Sequence, residues 1–280
     1  MLPVPAAPRS SGVIRGRRWV LVLLRSVPFV MLLSTLATVV WTVQVLWATG
    51  ATWLFVYYLP VVVQVYLNWA AVRVSRDRFD VREVTGRSAV VRNGTLLQRT
   101  YFCPRCRVDT SYECRHCPLC EACVAQRGHH CFLLGTCITR YSMKHFMVIC
   151  VYGAAACFFS GLTFLSDCKM PRAVVYLAPV ALGYYLSGVI SFSKLVYSFV
   201  INLELSSGLL IVGFTVHHLF MAAVGRLPYC NQEDVERGSW RNLVELFDGP
   251  LGFLNFVVPF SAVANKRVNS NKLQSYSKSV

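Results

Sequence analysis

Charged side chains are scarce in this sequence, and acidic ones most of all. The 280 residues contain 13 Asp and Glu against 28 Lys and Arg, so charged residues make up only 15% of the chain, whereas 55% are hydrophobic. The mean hydropathy is +0.48. A chain of this length could form one large or two small soluble domains, but so little charge argues against both. The composition indicates a membrane protein.

The first apolar run lacks the short apolar core and small-residue exit site of a cleavable signal peptide, so it reads as an anchor. Trp19 to Trp47 is interrupted only by Arg25, Pro28 and scattered Ser, Thr and Gln. Within it, Val27 to Ala48 supplies 22 residues. A helix of that length, about 33 Å, crosses a bilayer. A second run, Trp53 to Val72, follows almost at once, which predicts a transmembrane helical hairpin.

Basic residues collect beside the predicted spans. The positive-inside rule places both flanks of the hairpin in the cytoplasm, which agrees with two crossings because they return the chain to its starting side. A net charge of +15 could suggest nucleic acid. Anionic lipid headgroups are the simpler partner, since the arginines flank membrane spans. These arginines are Arg9, Arg15, Arg17, Arg18, Arg73, Arg76, Arg78, Arg82, Arg87, Arg92 and Arg99.

The number of later spans is ambiguous in the sequence. Apolar runs occur at Phe146–Leu165, Val174–Ser193 and Leu209–Val224. An even total returns the basic C-terminal tail to the cytoplasm, so we favour four spans, with part of Val174–Glu204 interfacial, re-entrant or added to the fourth helix. Five spans are the alternative. No internal repeat of fixed period is apparent.

The predicted fold class is an α-helical polytopic membrane protein with a small zinc-bound, cysteine-rich domain between spans 2 and 3. The predicted divisions are a cytoplasmic N-terminal arm (1–18), the hairpin of spans 1 and 2 (19–72), a cytoplasmic basic loop (73–144) with its cysteine-rich core (103–137), the C-terminal spans (145–224) and a cytoplasmic C-terminal region (225–280).

Eight of the twelve cysteines, with three histidines, lie within residues 103–137. Thiols stay reduced in the cytoplasm, so this density favours metal over a disulfide scaffold. Zinc takes four soft or borderline ligands, and each Cys-x-x-Cys pair offers two thiolates to one ion. Two ions need eight ligands, and metal would replace the hydrophobic core that this segment lacks. The candidates are Cys103, Cys106, Cys114, His116, Cys117, Cys120, Cys123, His129, His130, Cys131 and Cys137.

The whole arrangement of hairpin, basic loop, cysteine-rich core and further spans resembles the DHHC-type zinc-finger protein S-acyltransferases (palmitoyltransferases). The resemblance implies two structural zinc ions, an acyl-CoA such as palmitoyl-CoA as donor, and membrane-associated proteins whose cysteines accept the acyl group. It implies Cys131 as the nucleophile. The ligands it implies are Cys103, Cys106, His116 and Cys123 for one zinc, and Cys117, Cys120, His130 and Cys137 for the other.

His129 lies two residues before Cys131 and is placed to be its base. A free thiol with a pKa near 8.5 is only about 3% ionised at neutral pH, and a nearby base raises that fraction. A zinc-rigidified loop would fix the geometry of both side chains. A competing assignment of the cysteines is a single four-cysteine site made of Cys103, Cys106, Cys114 and Cys117.

Gly128 stands where the family motif has aspartate, so the carboxylate expected to orient His129 is missing. Glu121, Asp109 and Glu113 are the carboxylates that could replace it. Two functional hypotheses therefore stand: an active S-acyltransferase, and a weakened or inactive relative that acts as a zinc-stabilised membrane scaffold.

Arg127, Arg140 and Lys144 are candidates for contacting the phosphates of CoA, and a groove among the spans would hold the acyl chain.

Nucleic-acid binding is disfavoured because zinc knuckles need an accessible surface away from a bilayer. The family resemblance implies an endomembrane location, Golgi or endoplasmic reticulum. Residues that resemble the family's C-terminal pattern are Asp234, Gly238, Asn242, Phe247 and Pro259.

Overall fold

The structure, a computed structural model, describes residues 14–77, 90–92, 95–97, 100–111, 114–171, 175, 178–226, 240–247 and 249–257. Most of these residues are helical. The α-helices are α1 (Ile14–Ala48), α2 (Phe55–Asp77), α3 (Arg140–Asp167), α4 (Ala178–Leu186), α5 (Phe192–Ala223) and α6 (Trp240–Leu246). Two 3-10 helices cover Thr52–Leu54 and Pro250–Phe256.

Four segments are long and apolar enough to cross a membrane: Val22–Ala48, Thr52–Val74, Arg140–Asp167 and Phe192–Ala223. They confirm the preferred fold class with four spans. In the disputed apolar run, α4 has nine residues, about 14 Å of helix, which is too short to span. The stretch containing Glu204 lengthens the fourth span, because α5 already begins at Phe192.

The first two spans form the predicted hairpin around a very short turn. Gly50 has a φ of +74°, in the left-handed region that glycine adopts without steric cost. The Gly50 N–H donates to the Trp47 carbonyl oxygen at 3.2 Å, which closes the end of α1. At its other end α1 begins at Ile14, inside the predicted N-terminal arm.

α3 lies at the centre of the spans and packs most extensively against α2 and α5. Near the cysteine-rich domain a buried apolar cluster includes Val72, Met143 and Met147. In the middle of the spans, the Thr42 and Tyr58 hydroxyls lie 3.1 and 3.0 Å from the Ser160 hydroxyl. This interspan polar cluster of three hydroxyls links α1, α2 and α3 by hydrogen bonds.

The described strands form four antiparallel two-stranded hairpins between spans 2 and 3. They pair β1 (Val90–Arg92) with β2 (Thr95–Leu97), β3 (Thr100–Cys103) with β4 (Val108–Ser111), β5 (Cys114–Cys117) with β6 (Ala122–Ala125), and β7 (Arg127–Cys131) with β8 (Thr136–Thr139).

The last three hairpins repeat every 14 residues, so the expectation of no internal repeat was wrong. Cys103, Cys117 and Cys131 end the first strand of each unit at this spacing. Four residues later the turns have positive φ angles of +55°, +54° and +65°, at Arg107, Glu121 and Gly135. The sequence obscures the repeat because these turn residues differ chemically and the unit is shorter than the usual 20 to 50 residues.

The third repeat hairpin, β7–β8, is fixed to three spans. Arg73 of α2 donates from Nη1 to the Leu134 carbonyl oxygen at 3.2 Å. A Cβ atom at Gly135 would collide with the Pro28 ring of α1. β8 runs directly into α3 through a capping box, in which the Thr139 N–H donates to the Ser142 hydroxyl at 3.0 Å.

Several predictions fall outside the described residues. These are the roles given to Arg9, Arg78, Arg82, Arg87, Arg99, Glu113, Asp234, Gly238, Pro259 and the basic tail beyond residue 257. Two members of the C-terminal pattern are described. Asn242 donates from Nδ2 to the Ala223 carbonyl oxygen at 2.8 Å, which ties α6 to the end of α5, and Phe247 joins the buried cluster near the cysteine-rich domain.

Candidate active site

The first group of predicted metal ligands converges between the first two repeat hairpins. The ligand atoms of Cys103, Cys106, His116 and Cys123 all lie within 4.8 Å of one another. His116 Nδ1 is 3.2 Å from the Cys106 sulfur and 3.8 Å from the Cys103 sulfur. The Cys106 and Cys123 sulfurs are 3.6 Å apart.

The second group has the same construction one repeat later. Cys117, Cys120, His130 and Cys137 again place their ligand atoms within 4.8 Å. His130 Nδ1 lies 3.3, 3.5 and 3.7 Å from the sulfurs of Cys120, Cys117 and Cys137. The Cys120 and Cys137 sulfurs are 3.6 Å apart.

Hairpin register explains both convergences. In each group the turn of one hairpin supplies a Cys-x-x-Cys pair, and the next hairpin supplies a histidine and a cysteine directly opposite each other. The opposed pairs are His116 with Cys123 and His130 with Cys137. Because directly paired residues of an antiparallel ladder point to the same face, each pair presents two ligand atoms together.

The donor sets fit zinc. A tetrahedron with zinc–sulfur bonds of about 2.3 Å has edges of about 3.8 Å, close to the separations within both groups. The pKa of the Cys137 thiol is raised by its hydrogen bond with Cys120 and by burial, and a divalent cation would overcome both effects by stabilising the thiolates. The protein therefore carries two Cys and His zinc-binding clusters.

Cys114 does not belong to either cluster. It is fully buried on β5, where it pairs across the ladder with Ala125 at the end away from the Cys-x-x-Cys turn. The alternative site of Cys103, Cys106, Cys114 and Cys117 is therefore wrong, because the structure divides these four residues between two clusters and the hairpin body.

Cys131 also lies outside both clusters. By the repeat it corresponds to Cys103 and Cys117, but Leu134 stands where those units have their second turn cysteine. The half-buried Cys131 side chain packs against the apolar cluster near the ends of the spans. Burial raises the pKa of its thiol, while the backbone N–H groups of Leu134 and Leu133 donate to the sulfur and act in the opposite direction.

His129 shares a face of β7 with Cys131. Side chains alternate along a strand, so residues 129 and 131 point to one side and the zinc ligand His130 to the other. The pKa of His129 is lowered to about 4, chiefly by burial and further by His218, Arg127 and His130. The ring is therefore neutral at pH 7, and it takes up a proton less readily than an ordinary histidine.

Among the residues that the structure describes, none of the groups that shift the His129 pKa is a carboxylate. Glu121 is instead ion-paired with Arg25 of α1 at 2.7 Å, and both side chains are more than half exposed. The Asp109 side chain and Glu113 lie outside the described part of the chain. Gly128 occupies a β-bulge, where the register shifts between Arg127 and His129.

The three basic candidates for CoA occupy different settings. Arg140 is exposed at the start of α3. Arg127 donates from Nη1 to the His116 carbonyl oxygen at 3.3 Å, so part of its guanidinium supports the first zinc cluster. Lys144 is only 4% exposed, which places it poorly for phosphates that arrive from solvent.

The neighbours of His129 on α5 were not expected from the sequence. Phe214 and His218 of α5, and Phe146 of α3, place their rings 6.2, 5.7 and 5.4 Å from the His129 ring. The available signal was the His217–His218 pair inside the apolar run Leu209–Val224, because ionisable residues in spans are usually functional.

Comparison with known proteins agrees with these clusters. Residues 97–232, from the hairpins to beyond α5, match the family model described as DHHC palmitoyltransferase. A curated relative, palmitoyltransferase ZDHHC22 of Danio rerio, is 30% identical over 135 residues, which cover 44% of this chain and 48% of that protein. The chain thus spans about half the length of this relative. Over this segment, with its zinc clusters and apolar helices, the chain is similar to the DHHC palmitoyltransferases, although its own motif reads Gly-His-His-Cys.

Proposed function

We propose that this protein is a membrane-bound protein S-acyltransferase that moves a fatty acyl group from acyl-CoA to cysteines of other proteins through a thioester on Cys131. One observation carries the proposal. Eight of the Cys and His side chains converge in two metal clusters, while Cys131, at the equivalent turn position of the next hairpin, stays outside them. A thiol left out of metal coordination can act as a nucleophile.

The zinc clusters would act structurally in this function. Their ligands come from all three repeat hairpins, so two bound zinc ions would cross-link the hairpins and hold β7 rigid. Each cluster has four protein ligands, which leaves no open position for a catalytic water. Zinc supplies rigidity here, and the chemistry belongs to the side chains on the other face of β7.

The reaction would proceed in two balanced steps. His129 accepts the Cys131 proton, the Cys131 sulfur attacks the acyl carbonyl, and the carbon–sulfur bond to CoA breaks with return of the proton to the CoA thiolate. In the second step the sulfur of a substrate cysteine attacks the Cys131 thioester. The Cys131 thiolate leaves, and the substrate proton passes through His129 to it.

The position of Cys131 suits a lipid-derived substrate. Its side chain packs against an apolar cluster that includes Met147 of α3 and Ala222 of α5, while the next two residues, Phe132 and Leu133, remain 43% and 51% exposed. The sulfur thus lies where the hairpin domain meets the spans. An acyl chain bound there could extend among the helices while CoA stays in solvent.

The cellular setting of the proposal follows the family. A cytoplasmic hairpin domain in a Golgi or endoplasmic reticulum membrane would meet acyl-CoA and membrane-associated protein substrates on the same side. The contrary hypothesis, a zinc-stabilised scaffold without useful turnover, is motivated by Gly128 and by the absence of carboxylates among the described groups that influence the His129 pKa.

Direct labelling tests the proposal. The full chain is purified in detergent and incubated with palmitoyl-CoA, and hydroxylamine-labile acyl groups are located by mass spectrometry. We expect acylation of Cys131 in the wild type and in Cys168→Ala, a control that removes another half-buried thiol at the far end of α3. Cys131→Ala should abolish it. Transfer to a cysteine peptide is then measured separately, and a wild-type protein that never acquires an acyl group on Cys131 supports the scaffold hypothesis instead.

A further inference from the structure

His218 of α5 is a polar ring that faces His129 from outside the hairpin domain. The two ring centroids are 5.7 Å apart and their planes are inclined at 63°. The other rings beside His129 belong to Phe146 and Phe214. Both phenyl rings can fix the place of the His129 ring by packing, but neither can accept a conventional hydrogen bond from it.

The backbone of α5 determines which nitrogen of His218 carries hydrogen. Nδ1 lies 3.2 Å from the Phe214 carbonyl oxygen one turn earlier. A carbonyl oxygen only accepts, so Nδ1 is the donor, and the neutral ring leaves Nε2 as an acceptor. The ring also packs on Phe214, with centroids 4.0 Å apart. His218 is thus held in one tautomer by a partner other than His129.

We propose that His218 is a positioning residue that accepts a hydrogen bond from the His129 ring, directly or through one water, while His129 takes the Cys131 proton. While it is neutral, His218 would accept from one ring nitrogen of His129 and so direct the other nitrogen toward the sulfur, whereas a protonated His218 would repel the imidazolium that forms. A carboxylate at position 128 would orient the His129 ring in the same way, and Gly128 cannot. The inference rests on the proposed acyl transfer.

The geometry allows such contact to form during the reaction. Catalytic hydrogen bonds are commonly long before substrate binds and shorten in the reacting complex. His129 lies on the hairpin domain and His218 on the fourth span. The Phe146 ring packs against both, with centroid distances of 5.4 Å to His129 and 6.1 Å to His218. The two imidazoles are thus held side by side, so that one bridging water or a change of side-chain rotamer would connect them.

Single-turnover acylation of Cys131 by palmitoyl-CoA, measured on the full chain in detergent, tests the proposal. His218→Phe keeps a packed ring without the acceptor, and we expect it to slow acylation by about 10- to 100-fold, the usual effect of removing such a supporting group. His218→Gln keeps a hydrogen-bonding group and should lose less. His217→Phe, at the neighbouring exposed histidine, is the matched control and should react at the wild-type rate.

Gly128→Asp provides the readout that a purely structural role of His218 would not change. We expect Gly128→Asp to recover most of the rate lost in His218→Phe while changing the wild-type rate little, so that the two substitutions are non-additive. Zinc content verifies that each variant is folded. Should His218→Phe lose zinc, His218→Leu takes its place in the cycle.

The contrary outcomes are distinguishable. A His218→Phe variant that acylates as fast as the wild type overturns the inference and leaves the transferase function standing. The inference is also overturned if Gly128→Asp changes the acylation rate by the same factor in the wild type and in His218→Phe. A wild-type protein in which Cys131 is never acylated overturns the transferase function, and the role of His218 with it.

Discussion

Leu134 stands where the two preceding hairpins have Cys106 and Cys120, and this residue change leaves the Cys131 sulfur outside the metal clusters. A turn with one cysteine cannot offer the two thiolates that each cluster takes from a Cys-x-x-Cys pair. After β8 the chain enters α3, so no further repeat hairpin follows directly to supply an opposed histidine and cysteine. Cys131 keeps the backbone setting of a zinc ligand without the zinc.

The number of zinc ions bound per chain should therefore depend on the ligand residues of the two clusters. We expect Cys137→Ser to lower zinc from two ions to about one per chain, because it removes a ligand of the second cluster. Cys114→Ser is the matched control, since Cys114 is equally buried on a repeat strand but belongs to neither cluster. Metal analysis of the purified proteins gives the result. Equal zinc loss in both variants would contradict the ligand assignment.

The turn after Cys131 depends on Gly135 for two reasons, its φ of +65° and its contact with Pro28. Gly188 has a φ of +74° but open space around it. We expect Gly188→Ala to cost about 1 kcal/mol of unfolding free energy from backbone strain alone, and Gly135→Ala to cost more because its Cβ meets the Pro28 ring. Thermal unfolding in detergent measures both. Only Gly135→Ala should also slow Cys131 acylation.

At the scale of secondary-structure elements, α3 joins the two halves of the molecule. Its first turn is capped by the end of β8, and its length packs against α2 and α5. Any displacement of the β7–β8 hairpin is therefore transmitted to the start of the third span. Arg73 of α2 and Pro28 of α1 hold the same hairpin turn, so three spans together set the position of Cys131.

The interspan polar cluster should contribute measurably to the packing of these helices. Ser160→Ala removes hydrogen bonds with Thr42 and Tyr58 and leaves two hydroxyls buried without that partner. We expect a loss of about 1 kcal/mol, as for other hydrogen bonds between membrane helices. Ser187→Ala, at an exposed turn serine, is the control. Thermal unfolding in detergent compares the two, and equal melting temperatures would contradict a structural role for the cluster.

At the scale of the whole molecule, four spans place the turn between α4 and α5 on the opposite side of the membrane from the hairpin domain. Ser187 and Arg226 are exposed and lie at opposite ends of α5. In sealed vesicles with the hairpin domain outward, a membrane-impermeant maleimide should label Arg226→Cys above the wild-type level, and Ser187→Cys only after detergent is added. Labelling of both before detergent would contradict the topology.

The sequence predicted much of this fold because its strongest signals are local. Spans such as Val27–Ala48 follow from apolar length, and the short turn after Ala48 follows from the gap between two runs. The number of zinc ions followed from the count of ligands and the two ligand sets from the resemblance, while the four-cysteine site with Cys114 stayed open until the structure excluded it. Hairpin register then supplied the physical reason, since it pairs His116 with Cys123 and His130 with Cys137.

What the sequence by itself determined is the membrane class, the transmembrane hairpin and the presence of a metal-binding cysteine domain, since apolar length and ligand spacing are properties of short stretches of chain. Tertiary structure alone decided what surrounds His129: Glu121 is held by Arg25, and His218 arrives from a helix nearly 90 residues further along. Contacts across such separations depend on how spans and hairpins pack, and no local pattern of residues encodes that packing.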